Sequence, residues 1–254
     1  MRKLVVFVLG ILTFNFICLN VKADDIYYTN ANNVSMTKQQ YDFFVELADE
    51  GYPDVVTEET YNKFVNNGLF TQPIEKQIYD EDSVRQQEII PSVMPRGTVH
   101  ETQAKKLMLA KSCGSSFCSI TVTLDWKGQP VIKSWDVIGA YLYGNLTLNS
   151  NVLTTFTYSG GTIGYDDPYY TTGGFGTSVR VKTSSTNMRA YQSYDVYGTG
   201  TVFASYQHAR SNISKSTSHL FTIGAGGYGG VFYFYGAASN VYDQMGGVNV
   251  GVSI

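Results

Sequence analysis

Residue types able to do acid–base or nucleophilic chemistry are sparse in this chain of 254 residues, and their spacing limits what they can build. The histidines are His100, His208 and His219. His100-Glu101-Thr102-Gln103-Ala104 begins as a zinc-protease helix does, but the second histidine one turn later is missing, so the motif fails. Ser205-Tyr206-Gln207-His208-Ala209 and Ser218-His219-Leu220 put hydroxyls beside imidazoles. Adjacency in sequence does not make a triad; that would need Asp125, Asp136 or Asp195 brought to His208 or His219 across strands. No Gly-x-Ser-x-Gly elbow is present. No catalytic residue is therefore assigned, and the balance leans away from an enzyme.

Cofactor signals fail for similar reasons. Gly224-Ala225-Gly226-Gly227-Tyr228-Gly229 fits the dinucleotide fingerprint formally, yet the next run, Val231 to Tyr235, reads as a strand where the motif needs a helix. Asp166-Asp167-Pro168 offers two carboxylates, too few for a calcium site, and reads as an exposed turn. No cofactor and no metal are expected. Cys113 and Cys118 form an even pair that, in an exported protein, reads as a disulfide closing a small loop. The most suggestive population is tyrosine, set among Ser, Thr and Gly after residue 140. Its flat apolar body and polar tip suit sugar faces, protein partners and membrane interfaces. Tyr165, Tyr169, Tyr170, Tyr206, His208 and Tyr228 are the candidate binding residues.

The elements that must position these residues change character along the chain. Arg2 and Lys3, the apolar run Leu4 to Leu19 and Val21-Lys22-Ala23 read as a secretory signal over residues 1–23, cleaved after Ala23. The expected location is extracellular, with a mature net charge of −6. Residues 24–100 carry a net −9 and residues 101–254 a net +3. Within 24–71 the spacing predicts a helical hairpin. Thr37 with Gln40 forms a capping box before Tyr41, Phe44, Val45 and Ala48, with Gly51 and Pro53 as the stop. Thr57, Tyr61, Phe64 and Val65 repeat the pattern twenty residues later. Residues 72–100, punctuated by Pro73, Pro91 and Pro95, read as a linker.

Residues 101–254 read as an antiparallel β domain, because only 17 of them are charged and apolar residues alternate. Strands are expected over Lys105 to Lys111, Phe117 to Trp126, Val131 to Tyr143, Leu146 to Tyr158, Ser178 to Lys182, Ala190 to Tyr197 and Val202 to Tyr206. Leu220 to Ile223, Val231 to Tyr235 and Val248 to Ile254 complete the set. The expected fold is mainly β, an antiparallel sandwich or jelly-roll-like domain preceded by a short helical hairpin.

Val99-His100-Glu101-Thr102, Ser134 to Gly139, Ala204 to Ala209 and Tyr242 to Val248 are similar to segments of uncharacterised secreted proteins of Gram-positive bacteria. That resemblance implies export by a bacterium and carries no activity. Three readings stand. The first is a secreted, non-enzymatic protein that binds a surface, glycan or protein through its tyrosine-rich β domain. The second is a β-type pore-forming protein, motivated by low-charge stretches such as Leu146 to Tyr158 and Thr177 to Ser185. The third, a hydrolase using His208 or His219, comes last. The acidic mature chain, without a dense basic stripe, argues against nucleic acid.

Overall fold

The computed structural model describes residues 26–80, 105–171, 173–182, 186–218, 222–225, 232–235, 241–243 and 247–254. The signal segment lies outside the described residues, as do His100, His219 and Tyr228.

Helix signals at the start are realised with one addition. A two-stranded ribbon of β1 (Tyr28–Thr29) and β2 (Ser35–Met36) precedes α1 (Lys38–Leu47). Thr37 caps α1: its hydroxyl accepts from Gln40 N–H at 3.3 Å while the Gln40 side chain accepts from Thr37 N–H at 2.9 Å. Thr57 caps α3 (Glu58–Asn66) in the same way, accepting from Thr60 N–H at 3.2 Å. Gly51 and Pro53 do not simply end a helix. They open a short turn, α2 (Tyr52–Val55), where a proline costs no hydrogen bond because first-turn N–H groups have no helical partner. The buried stripe of α1 is Phe43, Phe44 and Leu47 rather than Tyr41 and Val45. Phe44 meets Phe64 at 5.1 Å and Tyr52 at 5.9 Å between ring centroids. Met108, Ala110, Phe117 and Tyr191 of the β region share this core, so the helices cover a sheet as well as each other.

That sheet belongs to a sandwich whose two layers share one long strand, β11 (Arg189–Gln207). Its first half pairs with β5 (Cys118–Trp126) on one side and β7 (Leu153–Tyr158) on the other. β4 (Lys105–Cys113) and β3 (Ile74–Asp80) extend the layer past β5, and β8 (Gly161–Tyr165) extends it past β7. Its second half pairs with β6 (Trp135–Leu148) and β14 (Val248–Ser253), and β10 (Gly174–Arg180) and β9 (Tyr169–Thr171) follow β6. Every one of these pairings is antiparallel. The sandwich core is built from alternate residues: Ile120, Val122 and Leu124 of β5 against Ile138, Ala140, Val202, Ala204, Val250 and Val252. A small α4 (Lys215–Ser218) and a hairpin of β12 (Thr222–Ala225) and β13 (Phe232–Tyr235) complete the described chain.

Glycines expected to separate strands instead bend them. The runs Ala190 to Tyr197 and Val202 to Tyr206 are one strand, and β6 runs straight through Gly144. Gly198 has φ 101°, and a Cβ there would lie 2.0 Å from the Asn145 carbonyl oxygen. The corner at which β11 changes layers therefore requires glycine. The segment from residue 72, read as linker, contains β3. It is paired only with β4, and its mostly exposed side chains leave no apolar alternation to read. Cys113 and Cys118 are bonded and face each other at the end of the β4–β5 hairpin. Leu146 to Tyr158 and the described part of Thr177 to Ser185 are built into the sandwich, with Phe156, Val179 and Val181 in its core.

Gly198→Ala combines a forced positive φ with a clash against backbone. It is expected to cost about 3 kcal/mol or more in urea unfolding, whereas Gly164→Ala, at a position open to solvent space, should change stability by less than about 1 kcal/mol.

Candidate functional site

The structure brings one sequence-predicted pair together, His208 with Asp136, and seals it. Asp136, fully buried at the start of β6, accepts from the Tyr206 hydroxyl at 2.6 Å and from Ala209 N–H at 3.0 Å. It also lies 2.8 Å from His208 Nδ1, so a proton on that nitrogen completes a third bond to the carboxylate. Trp126 Nε1–H donates to the Tyr206 oxygen at 3.3 Å, and the Trp126 ring meets the imidazole edge-on at 4.9 Å. Beyond it, Asp243 accepts from His208 N–H at 2.7 Å and from Lys105 Nζ at 2.9 Å. Lys105 is 1% exposed and sits 4.8 Å over Trp126. Burial, with the neighbouring Asp136 charge, pushes the Tyr206 phenol well above its ordinary range.

A general base must present a free nitrogen to a substrate. His208 Nε2 is buried and, among the described residues, has no hydrogen-bond partner, and the ring is 1% exposed. What the cluster does is close one end of the sandwich core with a hydrogen-bonded polar network that includes the Lys105–Asp243 ion pair. It ties β4, β6, β11 and residues 242–243 together. His208 and Tyr206, expected as binding residues, are placed in this interior and take no part in a surface.

The remaining tyrosines divide by the face their strand gives them. Tyr165 is half-buried against the core, and its hydroxyl oxygen accepts from Arg180 N–H of the other layer at 2.9 Å; burial raises its pKa. Tyr169 and Tyr170 lie exposed on the edge strand β9, and Tyr170 packs on Phe175 at 6.2 Å. Asp166 and Asp167 occupy an exposed turn as expected, with Asp167 paired to Lys215. Among the described residues no group of three or more His, Cys, Asp or Glu side chains is placed to hold a metal ion.

Open space lies elsewhere, where the helical layer stops short of β7 and β8. The register pairs Thr155 with Gly164 and Thr157 with Thr162, and these residues face outward while Phe156, Ile163 and Tyr165 alternate with them. Above them stand Val55, Val56, Thr57 and Thr60 of the helical layer. A cavity of about 320 Å³ lies there, open to solvent and lined also by Tyr52, Tyr191 and Ser193. A second, of about 700 Å³, continues past Val55 and Tyr191 towards Asp54, Asp125, Lys127, Tyr158 and Arg189. Both are bordered by Val55 and Tyr191, so they adjoin, and together they are called the groove. Arg189 lies 3.4 Å from Asp49 and 3.6 Å from Asp125. The Tyr191 hydroxyl donates to Asp49 at 2.6 Å, and burial together with that carboxylate raises its pKa. At the rim, Tyr28 donates to Asp54, and this bond, with some burial, pushes its phenol up to about 12. Sequence reasoning found Tyr165 but missed the rest of this groove, because it exists only where one layer ends above another.

No family model matches the chain, and no curated protein matches it. Among solved structures the chain is similar to the KRT10-binding region domain of the pneumococcal serine-rich repeat protein PsrP. The likeness covers 72% of this chain and 99% of that one, at 11% identity and a TM-score of 0.35. Among the described residues, no helix is long and apolar enough to cross a membrane.

Asp136→Asn removes an acceptor shared by three buried donors. It is expected to cost about 3 kcal/mol in denaturant unfolding. A second expectation concerns alkali. Tyr194 and Tyr206 are buried and keep their protons above the unfolded tyrosine value of about 10, so the unfolded chain ionises first. Their contribution is complete below pH 10 and is lost as pH rises, by about 1.4 kcal/mol per pH unit for each. Stability measured against pH should fall steeply above pH 10, with a cooperative tyrosinate absorbance step at the unfolding midpoint. Ionisation of every tyrosine, the buried ones included, with the fold intact would contradict it.

Proposed function

We propose that this chain is an exported, non-enzymatic recognition protein whose ligand site is the groove between the helical layer and the β7–β8 hairpin. The observation that carries this reading is the contrast between two polar clusters. The one with catalytic residue types is closed to solvent on every side chain that matters, whereas the one open to solvent is lined by hydroxyls, tyrosine rings and fixed charges. Such a lining binds and orients; it offers no histidine, thiol or paired free carboxylates in contact. The preformed walls favour recognition because little has to be ordered on binding: Asp49 pins both Tyr191 and Arg189 in advance. The ligand classes that fit are a glycan or a protein surface at the cell exterior.

The test is surface plasmon resonance of the chain over immobilised glycans and extracellular-matrix proteins, with recovery of the ligand afterwards. Saturable binding, weakened at least about tenfold by Val55→Glu and with the ligand recovered chemically intact, is the expected result. Binding that ignores Val55→Glu, or ligand returned cleaved, would refute the groove reading or the non-enzymatic one respectively.

A further inference from the structure

We infer that the groove takes a neutral, unbranched saccharide chain laid along β7 and β8, an inference that rests on the groove being the recognition site. Its shape is the first ground. β7 has six residues, so at about 3.3 Å each its outward face runs for about 20 Å, and the two cavities follow one another along it. A compact metabolite would leave most of that length unused.

The floor is the second ground. Thr155, Thr157 and Thr162 face outward and line the two cavities, and a threonine hydroxyl can both donate and accept. Between them Gly164 stands under open space: a Cβ built there meets nothing within 4 Å. Glycine inside a strand often marks a site where a ligand approaches the backbone closely. The floor is also the face of a ladder. The backbone groups of β7 are already paired with β8 and β11, so an extended peptide lying on this floor gains no main-chain bonds from β7; among the described residues a strand could add only along the outer edge of β8. Hydroxyls and the flanking tyrosine rings match the hydroxyls and apolar ring faces of sugars.

Charge is the third ground and sets neutrality. The cations at the rim are matched within the protein: Arg189 lies between Asp49 and Asp125, and Lys127 is held by Asp80 at 2.6 Å. Asp54 and Asp166 add negative charge along the walls. An acidic saccharide would enter a field of its own sign.

Isothermal titration calorimetry of the full chain would use neutral oligomers of glucose, mannose, galactose and N-acetylglucosamine, from dimers to octamers. Oligogalacturonate and oligolysine serve as charged comparisons. Affinity for one neutral series should rise with length and then level off once the groove is spanned. Oligogalacturonate should bind at least about tenfold more weakly, and Gly164→Gln should weaken the neutral ligand at least about tenfold at unchanged melting temperature. Amide shifts should concentrate in β7 and β8. No binding by any neutral series, or tighter binding of either charged polymer, would overturn the saccharide assignment. If a different ligand then binds and is lost with Gly164→Gln, the groove stands and only its ligand class is wrong. A ligand indifferent to Gly164→Gln overturns both.

Discussion

One strand serving two layers is the constraint from which the rest of this molecule follows. The first half of β11 must present Ala190, Gln192 and Tyr194 to the sandwich core, and its second half must present Val202, Ala204 and Tyr206 to the same core from the opposite wall. Only a sharp change of direction at Gly198 to Gly200 allows both. Because the two-residue alternation continues through the corner, the opposite face of the first half, with Tyr191 and Asp195, is left for the helices. Lys63 of α3 meets buried Asp195 at 2.8 Å, and Phe44, Tyr52 and Tyr191 pack together beneath them. The helical layer is thus seated on the first half of β11 and on β4 and β5, and it ends before β7 and β8. The groove is the geometric remainder of that seating.

Inside the sandwich, polar groups mark the places where the layers must agree. Gln192 crosses the core to the Ile138 carbonyl at 3.3 Å and to Thr154 and Thr177 at 3.3 and 3.2 Å. These bonds are lost together if either layer slips in register by one residue, since a one-residue shift sends every side chain to the other face. The Asp136 cluster does the same at the end of the core, where a buried carboxylate without its three donors would be costly. Residue types that resemble catalytic machinery are here a device for fixing one packing.

Much of this was legible from spacing, and the failures have physical causes. Thr37 and Thr57 announced their helices because capping is a local interaction between residues three apart. β5 and β14 were readable because apolar residues alternate with smaller or polar ones along their whole length, the apolar set facing the sandwich core. β3, β8 and β9 were not, because they lie at or towards the margins of the layers, where the exposed side chains need not be apolar. Gly144, Gly198 and Gly200 were read as breaks, since a sequence does not distinguish a glycine that ends a strand from one that bends it. Tyr206 and His208 were read as candidate binding residues, yet Asp136, seventy positions before Tyr206, holds them in the interior. Of the described candidate binding residues only Tyr165 borders the groove, and the remainder of the site depends on where the helices stop.

The position of β14 has a consequence for how the molecule acquires its structure. Residues 248–253 pair with the centre of β11, lie against β3 and β4, and supply Val248, Val250 and Val252 to the interior. Until they arrive from the ribosome, one wall of the sandwich is missing and the open edge of β11 invites other strands. Long-range pairing of this kind makes closure slow and leaves nascent chains prone to stick to one another. A chain built this way gains from being kept unfolded until its synthesis has passed residue 253, whatever compartment it then folds in.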